Sequence, residues 1–475
     1  MSKFSQDLET YMLKSGLTEK QLAKISGFPR SYIALMKNGH RVSVDIVKLK
    51  KLLEALNLSP YEYEELWDAY LMARYGNEFY ELSRNMVSFI ESFGRISKLS
   101  IKSSFNHEIP EVRTIDNRVD LEFFVKAVIE QEALKTDGYI RLIVQEDFSF
   151  LFNLLPSICR TNSKMPVEHI VCLEGNDTQS IKEQCYNLKT LGKLLPILLS
   201  GDENGYEIYY YYDKISSHFS TSALMPYLII TSTYAINIST NMEYAMISRE
   251  PESHRLFLRL FDERKKICRK MLCKIPTGTH IFEYYMKKRP DTENVYTIGS
   301  QPCFGVFPVD AMVEKYFSGQ DGKLMEMILA VLKQNREIYG ATQTITSYFT
   351  KSGITRLMEQ GIIQELPREI YIPLKPEDRK LLLHMLITAI KSDSYKAYLI
   401  NDEKFAYPEE LLMTTYNFAM VDIIYMSNNI ETRFILEEQS LARSIYGFLE
   451  KLKDGIIVYD SENTLAYLES VYESF

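Results

Sequence analysis

What this sequence lacks narrows its function before any motif is read. No stretch offers eighteen uninterrupted apolar residues, so a membrane-spanning helix is not expected. The opening MSKFSQDLETY carries no apolar segment behind its basic residue, so a secreted chain is not expected either, and the expected location is the cytoplasm. The six cysteines (Cys159, Cys172, Cys185, Cys268, Cys273, Cys303) are scattered and form no C-x-x-C pair. They are expected to be reduced thiols, with no disulfide framework and no metal site. There is no G-x-x-x-x-G-K-[ST] to cradle phosphate, no G-x-G-x-x-G, no G-x-S-x-G and no H-E-x-x-H. No catalytic residues, cofactor or bound metal are therefore expected, and the chain is not read as an enzyme.

What is present is ample apolar material, 46% hydrophobic against 25% charged residues, over 475 positions. That is the composition of a folded protein of roughly two to four domains. The net charge of −8 hides an asymmetry. Residues 1–58 hold ten Lys/Arg against five acids, a net +5, which leaves −13 on the rest. A basic head on an acidic body suits a reader of polyanions joined to a unit that avoids phosphate.

The head is patterned as short helices. Ser5 is a suitable N-cap for the first, with Asp7 and Glu9 near its positive end, Leu8, Tyr11 and Met12 along one stripe, and Gly16 at its close. Thr18 caps a second helix over 19–26 that buries Leu22 and Ala23, and Gly27 permits a tight turn. Pro29 stands in the first turn of a third helix over 30–38. There Ile33 and Met36 point inward, leaving Arg30, Ser31, Ala34, Leu35 and Lys37 outward. A fourth helix is predicted over 44–56, and Ser59-Pro60 opens a fifth that carries Tyr63, Leu66 and Trp67.

The run Leu17-Thr18-x-x-Gln21-Leu22-Ala23-x-x-x-Gly27, followed by Arg30-Ser31-Tyr32-Ile33 and Asn38-Gly39, resembles the Cro and phage-repressor (XRE-type) helix-turn-helix family over about residues 5–72. The resemblance implies that the third helix lies in the major groove of double-stranded DNA. Arg30, Ser31 and Leu35 then take base-reading positions, and Lys37, Asn38 and Arg41 face the backbone. Glu19, Gln21 and Ala34 are DNA-proximal without an assigned role. Two departures stand out. Glu19 occupies a place where many members carry Gln, and the places where many members pair an Arg on helix one with a Glu near the end of helix three hold Met12 and Lys37 here. The second change is expected to free Lys37 for DNA.

From about Leu121 onward, apolar β-rich runs alternate with amphipathic helical stretches, an α/β pattern. Strands are predicted over 139–144, 169–173, 206–212, 227–230, 397–400, 421–425 and 455–458. Helices are predicted over 179–195, 253–270, 323–335, 376–390 and 439–453. The expected organisation is multidomain: an all-α helix-turn-helix domain (1–72), a helical connector (73–112), a first α/β half (113–275), a mixed connecting region (276–370) and a second α/β half (371–475). An internal echo supports two related halves. Residues 139–148 look like 396–405, and a strand runs into a charged helix at both 245–265 and 433–453.

Paired halves of this kind distantly resemble the phospholipase D-like fold, which some regulators use for non-catalytic sensing. Its H-x-K-x-x-x-x-D signature is missing at His107, His169, His218, His254, His280 and His384. The expected function is a sequence-specific transcriptional regulator, a homodimer whose body dimerises or answers a small-molecule or protein effector. An interaction module of a mobile-element defence or toxin–antitoxin system is the alternative, and a DNA-targeted enzyme is a weaker one.

Overall fold

The computed structural model describes residues 2–94, 109, 111–175, 181–200, 205–214, 224–275, 294–317, 322–341, 344–366, 368–416, 418, 420–427 and 430–475. Elements are numbered among these residues. The N-terminal domain contains α1 (Lys3–Ser15), α2 (Glu19–Ser26), α3 (Arg30–Lys37), α4 (Ile46–Ala55) and α5 (Pro60–Tyr75), and α6 (Asn77–Phe93) leads away from it. Ser2, not Ser5, caps α1, and Ser5 is buried inside the helix. Asp45 caps α4 through the Lys48 amide, so Val44 lies outside the helix and is exposed. Thr18 and Ser59 cap α2 and α5 through reciprocal capping boxes with Gln21 and Glu62. Gly27 turns the chain between α2 and α3 at φ +77°, a conformation that a side chain would strain. Leu8, Leu22, Ile33, Leu49, Leu52, Leu66 and Trp67 are all fully buried in one small core. Truncating one of those leucines to Ala would cost about 2–5 kcal/mol.

The body is built on two sheets. The first half comprises β1 (Val112–Ile115), α7 (Arg118–Ala133), β2 (Ile140–Ile143), α8 (Ser149–Thr161), β3 (Val167–Glu174), α9 (Ile181–Leu198), β4 (Tyr206–Asp213), β5 (Tyr227–Thr231), β6 (Ala235–Ile238), β7 (Ala245–Ser248), α10 (Pro251–Lys266) and β8 (Arg269–Lys270). The second comprises β9 (Leu272–Ile275), β10 (Asn294–Ile298), α11 (Asp310–Tyr316), α12 (Gly322–Ala341), β11 (Thr344–Phe349), α13 (Lys351–Gln360), α14 (Pro376–Lys391), β12 (Lys396–Leu399), β13 (Leu411–Tyr416), β14 (Met420–Ser427), β15 (Ile430–Leu436), α15 (Gln439–Leu452) and α16 (Ser461–Ser474).

Strand order is β1-β7-β6-β5-β2-β3-β4-β8 in the first sheet and, from the matching edge, β9-β15-β14-β13-β10-β11-β12 in the second. Each of the first seven strands thus has a counterpart eight strands later in the chain. The pairing senses agree too: β2-β3-β4 and β10-β11-β12 are parallel, and the remaining pairs in both runs are antiparallel. One continuous core joins the inner faces of both sheets through α6–α9 and α15. On the outer faces, α10 covers the first sheet, and α11–α14 with α16 cover the second.

Several expectations need correction. Residues 272–275 pair with β15 of the second sheet, so a boundary at 275 severs a strand from its partners. The stretch 276–370, expected to connect, supplies β10 and β11. Residues 455–458 form no strand and contribute a single bridge, Ile400 to Val458. The helix expected to reach 270 ends at Lys266, which puts Cys268 beyond it and Cys273 in β9. The echo of 139–148 with 396–405 joins β2 at the centre of one sheet to β12 at the edge of the other. A short apolar run closed by a charged turn does not encode its place in a sheet. The second part of the echo does fall on counterparts, β7–α10 and β15–α15. Glu250 and Glu438 cap these two helices alike, each carboxylate accepting the amide hydrogens two and three residues on.

Candidate functional site

The outward side of α3 is the first place to look, because its partner helix α2 and the turn at Gly27 hold it as a rigid ridge. Arg30, Ser31, Leu35 and Asn38 are exposed on it, Ala34 is half-buried, and the inward Ile33 and Met36 are fully buried. Asn38 is the C-cap of α3, its amide donating to the Ala34 carbonyl. Among the described residues, the side-chain ties between this domain and the body fall on α5 and the start of α6, away from this ridge.

Charge on the ridge is organised around Glu19, the first residue of α2. Its Oε2 lies 3.3 Å from Arg30 Nε and its Oε1 lies 3.2 Å from Lys37 Nζ. The Lys37 ammonium, against the opposing effect of burial and with the Arg30 guanidinium assisting, holds the Glu19 carboxyl below the usual carboxylate range. Lys37 is thus not freed by the loss of its usual partner position, as the sequence suggests; it has taken Glu19 instead. Met12, at the other changed position, is buried in the domain core. Gln21 is exposed, but its carbonyl oxygen already accepts from Thr18 N and Oγ1 at 2.9 and 2.8 Å.

Phe28, Tyr32 and Lys48, which surround the expected Arg41, escaped the sequence reading. Arg41 stacks over the Tyr32 ring at 4.7 Å, Tyr32 lies flat on Phe28 at 5.0 Å, and Lys48 sits over Phe28 at 5.9 Å. Two cations are held at the ends of an aromatic stack beside α3, and Lys48 also pairs with Asp45 at 3.2 Å. The signal was the clustering of Phe28 and Tyr32 around Pro29.

The domain is tied to the body by a polar chain. Tyr70 Oη donates to the Ser43 carbonyl at 3.0 Å, Arg74 donates to Tyr70 Oη at 2.5 Å, and Asp454 between α15 and α16 accepts from Tyr75 Oη and faces Arg74 at 3.8 Å. Lys404 pairs with Glu64, Lys451 lies over Phe79 at 4.1 Å, and Ile456 packs on the small core.

In the body, a cavity of about 240 Å³ opens beyond the C-terminal end of β10, lined by Gln301, Arg356, Gln364, Arg368, Glu409 and Glu410 among others. There β10 has parallel β11 on one side and antiparallel β13 on the other, a topological switch point of the kind where α/β sheets hold ligands. Gln301 and Gln364 are locked by each other and by backbone groups, and Arg356 is paired with Glu409. The described histidines show no such convergence. His169 is fully buried, its Nε2–H donating to the Val144 carbonyl while Tyr206 Oη donates to Nδ1, and His254 bonds the Thr231 carbonyl. His107, His218 and His280 lie outside the described residues. Among the described residues no helix is long and apolar enough to cross a membrane.

No curated protein matches the chain. Among solved structures, phosphatidylserine synthase of Haemophilus influenzae Rd KW20 is similar at 9% identity over 74% of this chain and 87% of that one, with a TM-score of 0.23. Polyphosphate kinase of Porphyromonas gingivalis is similar at 14% identity over 76% of this chain, with a TM-score of 0.22. The chain spans 55% of that kinase. Neither likeness defines a fold. The helix-turn-helix family model matches residues 8–63, the stretch that carries α2, α3 and the open ridge, so the N-terminal domain is a helix-turn-helix.

Proposed function

We propose that this chain is a cytoplasmic, sequence-specific transcriptional regulator that binds double-stranded DNA through α3 and works as a homodimer. The observation that carries this reading is the open ridge of α3, with Arg30, Ser31 and Leu35 exposed while α5 and the start of α6 hold the domain to the body. Arg30 suits the O6 and N7 atoms of guanine, Ser31 can donate or accept, and Leu35 can pack on a thymine methyl. Lys37, Asn38 and Arg41 suit phosphates. One recognition helix reads too little sequence for useful discrimination, which favours two copies on a pseudo-palindromic site. Sedimentation showing a monomer both free and on DNA would remove the dimer from this reading.

The body acts as a non-catalytic dimerisation and sensing unit made of two related α/β halves, a relation supported by the matched strand order and the paired Glu caps. The cavity at the β10 switch point is the candidate seat of a small polar effector, since charges of both signs line it. A metabolite that raises the melting temperature equally in the protein and in Glu410→Ala would move the effector site elsewhere.

The test of the main reading is binding to labelled promoter fragments. One fragment should be retained selectively, lose binding on Arg30→Ala and weaken steeply with salt. Equal affinity for every duplex would overturn sequence-specific regulation.

A further inference from the structure

The arrangement of Glu19, Arg30 and Lys37 raises a problem for any protein that approaches a phosphate backbone. Arg30 opens α3 and Lys37 ends it, seven residues or about two turns later, so the two cations share one edge of the helix. The two oxygens of Glu19 meet them one each, at 3.3 and 3.2 Å. An acid at this position repels phosphate and withholds two cations that would otherwise attract it. Yet Arg30 remains 71% exposed, and because its Nε faces Glu19, the terminal guanidinium nitrogens are left to reach outward. Glu19 also sits at the N-terminus of α2, where the helix dipole favours the ionised carboxylate.

We propose that Glu19 is the specificity filter of the DNA-reading face. In the free protein it occupies Arg30 and Lys37, so a duplex that offers only phosphates has to break two ion pairs and face an acid. A G·C pair meets all partners at once: guanine presents O6 and N7 to the Arg30 terminal nitrogens, and cytosine presents its N4 amino group to the Glu19 carboxylate. Low non-specific affinity thereby becomes part of how the protein finds its site, a discrimination built from a repulsive element as well as attractive ones. The inference rests on the reading that α3 binds DNA.

The experiment compares the full chain with Glu19→Gln, which keeps shape and removes charge, on two probes. One is the duplex enriched from a randomised 30-base-pair pool; the other is a scrambled duplex of equal length. Glu19→Gln is expected to bind the scrambled duplex about tenfold more tightly, to lower the preference for the enriched duplex by a similar factor, and to steepen the slope of log affinity against log salt by one to two as freed cations engage phosphates. Enrichment repeated with Glu19→Gln should relax one G·C position. An unchanged scrambled-duplex affinity and salt slope, with binding lost on the enriched duplex alone, would overturn the filter and reduce Glu19 to a prop for Arg30. If neither protein binds any duplex in a salt-dependent way, the DNA-binding reading itself falls, and the filter with it.

Discussion

Asn187 on α9 and Ser440 at the start of α15 are joined by a hydrogen bond of 2.9 Å between Nδ2 and Oγ, across the seam of the two halves. Asn187 is fully buried, and it also spans the end of β3, accepting from Glu174 N at 2.8 Å and donating to the Glu174 carbonyl at 2.9 Å. One amide thus satisfies a strand end in the first half and a helix start in the second. Asn187→Ala takes this partner from the Glu174 amide and carbonyl, at about 1–3 kcal/mol each, while the Ser440 hydroxyl keeps Glu438 as acceptor. The urea midpoint should fall accordingly. A midpoint that does not move would mean that water replaces the side chain at no cost.

Asp454 anchors the helix-turn-helix domain to the body through Tyr75 and Arg74. Asp454→Ala removes the shared acceptor and is expected to weaken domain docking by about 1–3 kcal/mol, leaving both sheets intact. Hydrogen exchange should quicken across residues 60–94 and stay unchanged in the strands. Faster exchange in β13–β15 as well would show that Asp454 supports the second half itself.

Where local chemistry decides the structure, the sequence was readable. Thr18, Gly27, Pro29 and Ser59-Pro60 mark helix ends by capping and backbone restraint alone, and α2, α3 and α5 begin at or beside the predicted residues. Elements defined by distant partners were not. Arg269–Lys270 is an exposed two-residue strand with no apolar alternation, and the charged run from α10 flows straight into it. Val112–Ile115 buries only its last residue. The Glu19 pairing needs α2 and α3 already packed together, so it escapes a reading of either helix, although the spacing of Arg30 and Lys37 was there to be seen. Sheet order is harder still, because β2 and β12 have similar local patterns and different neighbours.

Gln21 offers a way to separate fold from recognition inside the small domain. Its carbonyl oxygen serves Thr18 N and Oγ1, so the side chain closes the capping box of α2. Gln21→Ala is expected to cost about 0.5–1 kcal/mol of stability. The salt dependence of DNA binding should be unchanged. A loss of preference for the enriched duplex at equal stability would instead make Gln21 a base reader.

His169 gives the fold a pH dependence whose sign can be worked out. Burial pushes its imidazole down to about 4, against the lesser opposing pull of the Val144 carbonyl. The unfolded chain would protonate it near the ordinary value of about 6.5. Between those values the unfolded state binds a proton that the folded state refuses, so the contribution of this group to stability is full above about 6.5 and falls as pH drops toward 4. The loss amounts to roughly 3 kcal/mol once both values are passed. Asp422, which burial pushes up to about 6, acts in the opposite sense in an overlapping window, so the whole-protein profile mixes the two. Comparing the protein with His169→Gln isolates the histidine. Glutamine keeps a polar partner for Tyr206 and Val144 but does not titrate. In urea unfolding, the stability advantage of His169 over Gln should shrink by about 2–3 kcal/mol between pH 7.5 and 4.5. An advantage that stays constant across that range would show that the ring takes up its proton inside the fold at nearly its unfolded pKa, and that the pocket formed by Phe152, Tyr206 and the Val144 carbonyl is hydrated.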